Sequence, residues 1–178
     1  LAQRNVDFGG GLERTVAASL DEPDVFLIDA FSKAREVLER LSGKKYGDSE
    51  EITRGFRVVL DHVRAAAFLM GDERGVEPSN TDQGYVVRRL LRRAIRYGKQ
   101  IGITEESWIG DVLETYLDEY AESYSELGKN RKRVLEWTKL EEAKFMKTIE
   151  KGLKEIGKIK SLNGKELFIL YSTYGFPL

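Results

Sequence analysis

Apolar residues recur at helical spacing along most of the chain, and the sharpest case is residues 84–98. Wound at about 100° per residue, Val86, Val87, Leu90, Leu91, Ala94 and Ile95 fill one half of a helix, while Arg88, Arg89, Arg92, Arg93 and Arg96 fill the other. One face is therefore expected to be buried, and the opposite face carries five guanidiniums. Similar stripes predict helices over 24–42 (Phe26, Leu27, Ala30, Phe31, Ala34, Val37, Leu38, Leu41) and 50–70. The second of these is nearly apolar over its last turns and so is expected to be central. Further helices are expected at 105–127, with an aromatic stripe through Trp108, Tyr116, Tyr120 and Tyr124, at 131–159, and in a short piece at 165–172. A β-like segment at 5–8 runs into Gly9-Gly10-Gly11 and then into a helix through Leu20. The expected fold is mainly α: a helical bundle of about seven helices, with a strand-turn-helix remnant at its start whose sheet is missing.

Charge changes this picture through its distribution and not through its total. The chain has 178 residues, 41% hydrophobic and 33% charged, with a net charge of -1. No acid lies between Gly84 and Ile103, whereas residues 105–126 hold eight acids and no Lys or Arg. So dense a row of like charge opposes folding unless acidic neighbours or a bound polyanion offset it. A solvated helix face is the plain alternative. A second basic cluster stands at Lys129, Arg131, Lys132 and Arg133.

Cysteine is absent and His62 is the single histidine, which excludes disulfides, thiol chemistry and a zinc site of the Cys/His type. No apolar run approaches the roughly 20 residues of a membrane span. The opening Leu1-Ala2-Gln3-Arg4 is neither an initiator Met nor a signal peptide, and the chain reads as a piece of a longer cytoplasmic protein.

Three stretches carry candidate chemistry. The triple glycine at the strand-to-helix junction permits a tight turn and a close approach of ligand to backbone, and Arg14 at its mouth suits a triphosphate. A flexible turn is the other reading. In 61–64, Asp61, His62 and Arg64 are polar company on an apolar helix: either Asp61 and Arg64 form an i,i+3 pair, or His62 and Arg64 line a polar surface. Pro78-Ser79-Asn80-Thr81-Asp82 is a string of capping residues before the basic helix, so Asn80 reads first as a cap.

Taken in order, Asp7-Phe8-Gly9-Gly10-Gly11-Leu12-Glu13-Arg14, Asp61-His62-Val63-Arg64-Ala65-Ala66-Ala67-Phe68-Leu69, Pro78-Ser79-Asn80 followed by Gly84-Tyr85 and the arginine row, and Leu170-Tyr171-Ser172-Thr173-Tyr174-Gly175-Phe176-Pro177 resemble the alanyl-tRNA synthetase family. The resemblance spans essentially the whole chain. It implies that 1–22 is the end of a class II catalytic domain, its third motif, and that 23–178 is the helical tRNA-recognition domain. On that reading Gly9, Gly11, Glu13 and Arg14 bind ATP, with Arg14 the catalytic residue that holds the triphosphate, and Mg2+ accompanies ATP in the full-length enzyme. Alanine would be activated there and passed to the tRNA 3′ end.

The partner implied is the acceptor stem of alanine tRNA, identified by a G·U wobble pair. Asn80 falls at the position of the family's minor-groove reader. Tyr85, Arg88, Arg89, Arg92, Arg93 and Arg96 would contact the RNA around it. A wobble pair leaves the guanine 2-amino group without a partner in the wide minor groove of A-form RNA, and a neutral amide can accept from it. The family's partner for that Asn is an Asp, and Ser172 stands in its place here, so that gripping of the pair from both grooves is put in question. Two rivals remain: a non-catalytic RNA-binding module related to the synthetase, and a structural scaffold whose basic face pairs with the acidic 105–126 helix.

Overall fold

A computed structural model describes residues 9–156, 163–164 and 167–168. Seven α-helices are described: α1 (Leu12–Ser19), α2 (Ser32–Ser42), α3 (Glu50–Gly71), α4 (Asp82–Gln100), α5 (Trp108–Tyr120), α6 (Ser125–Lys129) and α7 (Arg131–Ile156). No strand occurs among the described residues. The expected β-like segment at 5–8 lies outside them, as does most of the expected helix at 165–172.

α3 is the axis of the bundle. Ser49 Oγ accepts from the Ile52 N–H at its start, where Glu50 and Glu51 oppose the helix dipole. Along it, Phe56, Val59, Leu60, Val63, Ala66, Ala67 and Met70 are fully buried. Its most extensive partner is α4, and it also touches α2, α5, α6 and α7. On α4, four of the six apolar positions expected to face inward do so, Val87, Leu91, Ala94 and Ile95 being buried, whereas Leu90 is half-buried and Val86 is exposed at the edge of the stripe. Trp108, Ile109, Val112, Leu113, Tyr116 and Leu117 of α5 complete the same core, so the aromatic stripe there is packing. Tyr116 is anchored by donating to the Leu60 carbonyl at 3.0 Å.

Two elements depart from expectation. The 24–42 stripe is not one helix: Val25–Leu27 and Asp29–Phe31 are single 3-10 turns, and α2 starts only at Ser32. Asp24 is the cause, because its carboxylate accepts from the Phe26 N–H at 3.1 Å while Arg57 (2.7 Å) and Tyr46 (2.6 Å) hold it from α3 and the loop before it. A side chain so engaged fixes the chain as a turn. The 105–127 helix also divides, into α5 and α6, with Ser107 at φ 60 immediately before α5. Its break at 121–124 coincides with a cluster of Phe68, Tyr120 and Tyr124, whose ring centroids lie 5.0 to 6.2 Å apart. Edge-on packing of these rings favours the bend over a continued turn.

Candidate nucleic-acid interface

The turn ahead of α4 is closed by one small side chain. The Ser79 N–H donates to the Gly84 carbonyl at 3.0 Å. Its Oγ donates to the Thr81 carbonyl at 2.9 Å and accepts from the Thr81 N–H at 3.3 Å. A Cβ on Gly84 would lie 2.4 Å from the Glu77 carbonyl oxygen and 2.3 Å from Ser79 Oγ, so glycine alone lets the first turn of the helix sit this close. Pro78 is buried beneath, and Asn80 stands exposed above. Asn80 is not the cap: Thr81 holds that position, without a side-chain capping bond, and the Asn80 amide makes no hydrogen bond to the described residues.

The arginine row divides in two. Arg88 and Arg92 lean toward α7, where Glu141, 3% exposed, takes Arg92 Nε at 2.6 Å and Arg88 Nε at 3.5 Å. Arg92 also stacks over Phe145, 5.0 Å from its centroid. Burial, and secondarily the charge of Arg92, pull Arg88 below the usual guanidinium range. Arg89, Arg93 and Arg96 are exposed, each resting on an aromatic ring: Arg89 on Tyr85 at 5.8 Å, Arg93 and Arg96 on Tyr97 at 6.0 and 5.5 Å. Tyr85 and Val86 are each 42% exposed beside them. Stacking of this kind leaves the N–H edges of Arg89 and Arg93 available to acceptors.

Among the described residues, the acidic stretch forms no ion pair with Arg88, Arg89, Arg92 or Arg93. Its carboxylates reach elsewhere: Glu114 and Asp118 to Arg131, Glu119 to Lys33, and Asp111 to Arg40 at 3.7 Å. Within the second basic cluster, Arg133 donates to the carbonyls of Met70 (3.0 Å) and Asp72 (2.8 Å), closing the end of α3, and so is structural. The sequence concealed Glu141. Its only signal was a pair of acids, Glu141 and Glu142, inside the apolar stripe of α7, at positions that face the core.

At the other end, Gly9, Gly11 and Arg14 are exposed, and Gly11 stands at the N-cap of α1 without a side-chain capping bond. A Cβ on Gly11 would lie in contact with Arg14 Cδ, at 3.4 Å. Uncapped N–H groups beside an open guanidinium fit a polyphosphate. Among the described residues no group of three His, Cys, Asp or Glu could hold a metal ion, and no helix is long and apolar enough to cross a membrane. Asp61 does not bridge to Arg64. It binds His62 Nδ1 at 2.8 Å, which holds its carboxyl below the ordinary range, with lesser help from Arg64 and Arg93. Arg64 goes instead to Glu13 of α1. Ser172 lies outside the described residues.

The described residues form helices, turns and loops with no strand, and comparison with known proteins supplies a family. The family model described as tRNA synthetases class II (A) matches residues 1–178, and the chain belongs to that family. Within it, the chain is 40% identical over 183 residues to the alanine–tRNA ligase of Borreliella afzelii, covering 99% of this chain and 31% of that protein. It is 36% identical over 187 residues to the alanine–tRNA ligase of Natranaerobius thermophilus, covering 100% of this chain and 21% of that one. The chain thus spans between a fifth and a third of the length of these relatives.

Proposed function

We propose that this chain is the part of an alanine–tRNA ligase that docks the acceptor stem of alanine tRNA and contributes the last ATP-binding segment of the catalytic domain, with the boundary near residue 22. The observation that carries the reading is Asn80: an exposed amide without a hydrogen-bond partner among the described residues, held on a turn that Ser79 and Gly84 lock, at the head of a helix bearing exposed arginines. An amide so placed can accept from the free 2-amino group of a G·U pair and donate to a neighbouring oxygen. Arg89, Arg93 and Arg96 would meet phosphates or sugars, and Tyr85 would pack against the stem; these contacts position while Asn80 specifies. Arg88 and Arg92 support the face from behind through Glu141. Ser172 would take the place of the family's acidic partner and can still donate and accept.

Gly9, Gly11 and Arg14 would hold ATP, with its Mg2+, in the full-length enzyme, while the Glu13 carboxylate turns away to Arg64. ATP supplies the activation of the alanine carboxyl; Arg14 orients and neutralises the triphosphate. The test is binding of acceptor-stem RNA. A G·U stem is expected to bind more tightly than the same stem with G·C at that pair, and equal affinities would remove Asn80 as a reader.

A further inference from the structure

An ion pair joins the first turn of α1 to the helical body. Glu13, the second residue of α1, presents Oε1 to Arg64 Nη2 at 2.5 Å, across 51 residues of sequence. Arg64 projects from the middle of α3, and its environment fixes it. The guanidinium lies 4.7 Å from the centroid of Phe31, its Nη1 reaches the Tyr120 hydroxyl at 3.4 Å, and its side chain is 21% exposed. A cation stacked on one ring and bounded by a second is a rigid peg and not a swinging surface charge. On the other side of the contact, Glu13 is two-thirds covered. Its own backbone N–H holds the carboxyl below its ordinary range, against the effect of burial and with the aid of Arg64.

Beside this pair, α1 is a helix of eight residues without a side-chain cap at its N-terminus, and it is held by the buried Ala17, the partly buried Val16 and packing on the 25–27 turn. Arg14 follows Glu13 directly, on the same rigid turn. A shift of Glu13 therefore carries Arg14 with it. α3 is also the helix on which α4 packs most extensively, so one frame bears both the head of the RNA face and the anchor of α1.

We propose that Arg64 is a positioning residue for Arg14: it clamps α1 to α3 through Glu13 and thereby aims the Arg14 guanidinium at the triphosphate. This rests on the reading of Arg14 as the triphosphate ligand. In the full-length ligase, Arg64→Ala is expected to raise both the KM for ATP and the ATP dissociation constant measured by calorimetry by about tenfold or more, as displaced positioning groups do. The KM for alanine stays unchanged, because a merely unstable protein would lose both together. Arg64→Lys keeps the cation without the planar fork and recovers part of the loss. Glu13→Gln is expected to reproduce Arg64→Ala, with the double variant no worse than either single one. Glu13→Gln also serves alone where Arg64→Ala fails to fold, since it leaves Arg64 stacked on Phe31. Additive losses, or an Arg64→Ala protein with unaltered ATP affinity while Arg14→Ala has lost it, would overturn the clamp. An Arg14→Ala protein that still binds ATP normally would instead overturn the reading of the nucleotide segment itself.

Discussion

Ser79 and Asn80 are neighbours with opposite obligations. Ser79 spends its hydroxyl inside the turn, on both the N–H and the carbonyl of Thr81, whereas Asn80 spends nothing within the described structure. Asn80→Ala is accordingly expected to leave the denaturant midpoint unchanged, with stability moved by less than about 0.5 kcal/mol. Gly84→Ala is expected to cost about 1–3 kcal/mol in the same measurement, because its Cβ would be driven into the Glu77 carbonyl. A large loss from Asn80→Ala would return that residue to a structural role. The sequence showed this turn as a string of capping residues but not which of them was idle. Thr81 and Ser79 could each have been the reader and Asn80 the cap on composition alone; the distinction depends on the path of the backbone into α4.

At the scale of the element, α4 is two helices in charge. Its outer arginines rest on Tyr85 and Tyr97, and its inner ones share one buried carboxylate. Arg89→Ala with Arg93→Ala is expected to weaken all stems alike and to flatten the dependence of log affinity on log salt by roughly 0.9 per lost phosphate contact, on the rule for duplex DNA. Stability should barely change. Glu141→Ala is expected to do the reverse to the fold, costing about 3 kcal/mol in chemical denaturation, because it leaves Arg88 and Arg92 half-buried without a counter-ion. An unchanged salt slope in the first variant would make the outer face a solvated surface. Most of the apolar half of α4 was legible from spacing alone, as were the central place of α3 and the core role of Trp108 and Tyr116, while Val86 and Tyr124, which spacing put with them, are exposed. The division of the arginines was not. It is decided by Glu141 in α7, 49 residues beyond Arg92, and no local pattern reports a contact of that reach. The same reason hid the splitting of 24–42, which Arg57 and Tyr46 impose on Asp24 from outside the segment.

Across the whole molecule, the packing of α7 against α5 leaves a titratable group inside. Glu142 is 6% exposed, and burial pushes its carboxyl up to about 7, with Lys99 and a hydrogen bond from the Ser107 N–H opposing and Glu106 adding to the rise. Its Oε2 has no hydrogen-bond partner among the described residues. In the folded protein Glu142 therefore keeps its proton up to about pH 7, while in the unfolded chain it loses it near 4.5. Between those values the folded state binds the extra proton, so this group's contribution is fully present below 4.5 and is lost as pH rises through 7. Glu142→Gln is expected to abolish that decline and to raise the melting temperature at pH 8 relative to the parent; melting curves of the two proteins that stay parallel from pH 5 to pH 8 would contradict it.

One helix, α3, carries both α4 and the anchor of α1, and the claim on which the functional reading turns is that Asn80 meets an unpaired exocyclic amine. The most direct measurement replaces the guanine of the wobble pair by inosine, which lacks only the 2-amino group, and compares acceptor-stem binding by the parent chain and by Asn80→Ala. The parent is expected to lose about 1–3 kcal/mol on inosine, the value of a base-edge contact, while Asn80→Ala binds both stems equally and as weakly as the parent binds the inosine stem. Equal losses in the two proteins would show that Asn80 does not touch that group.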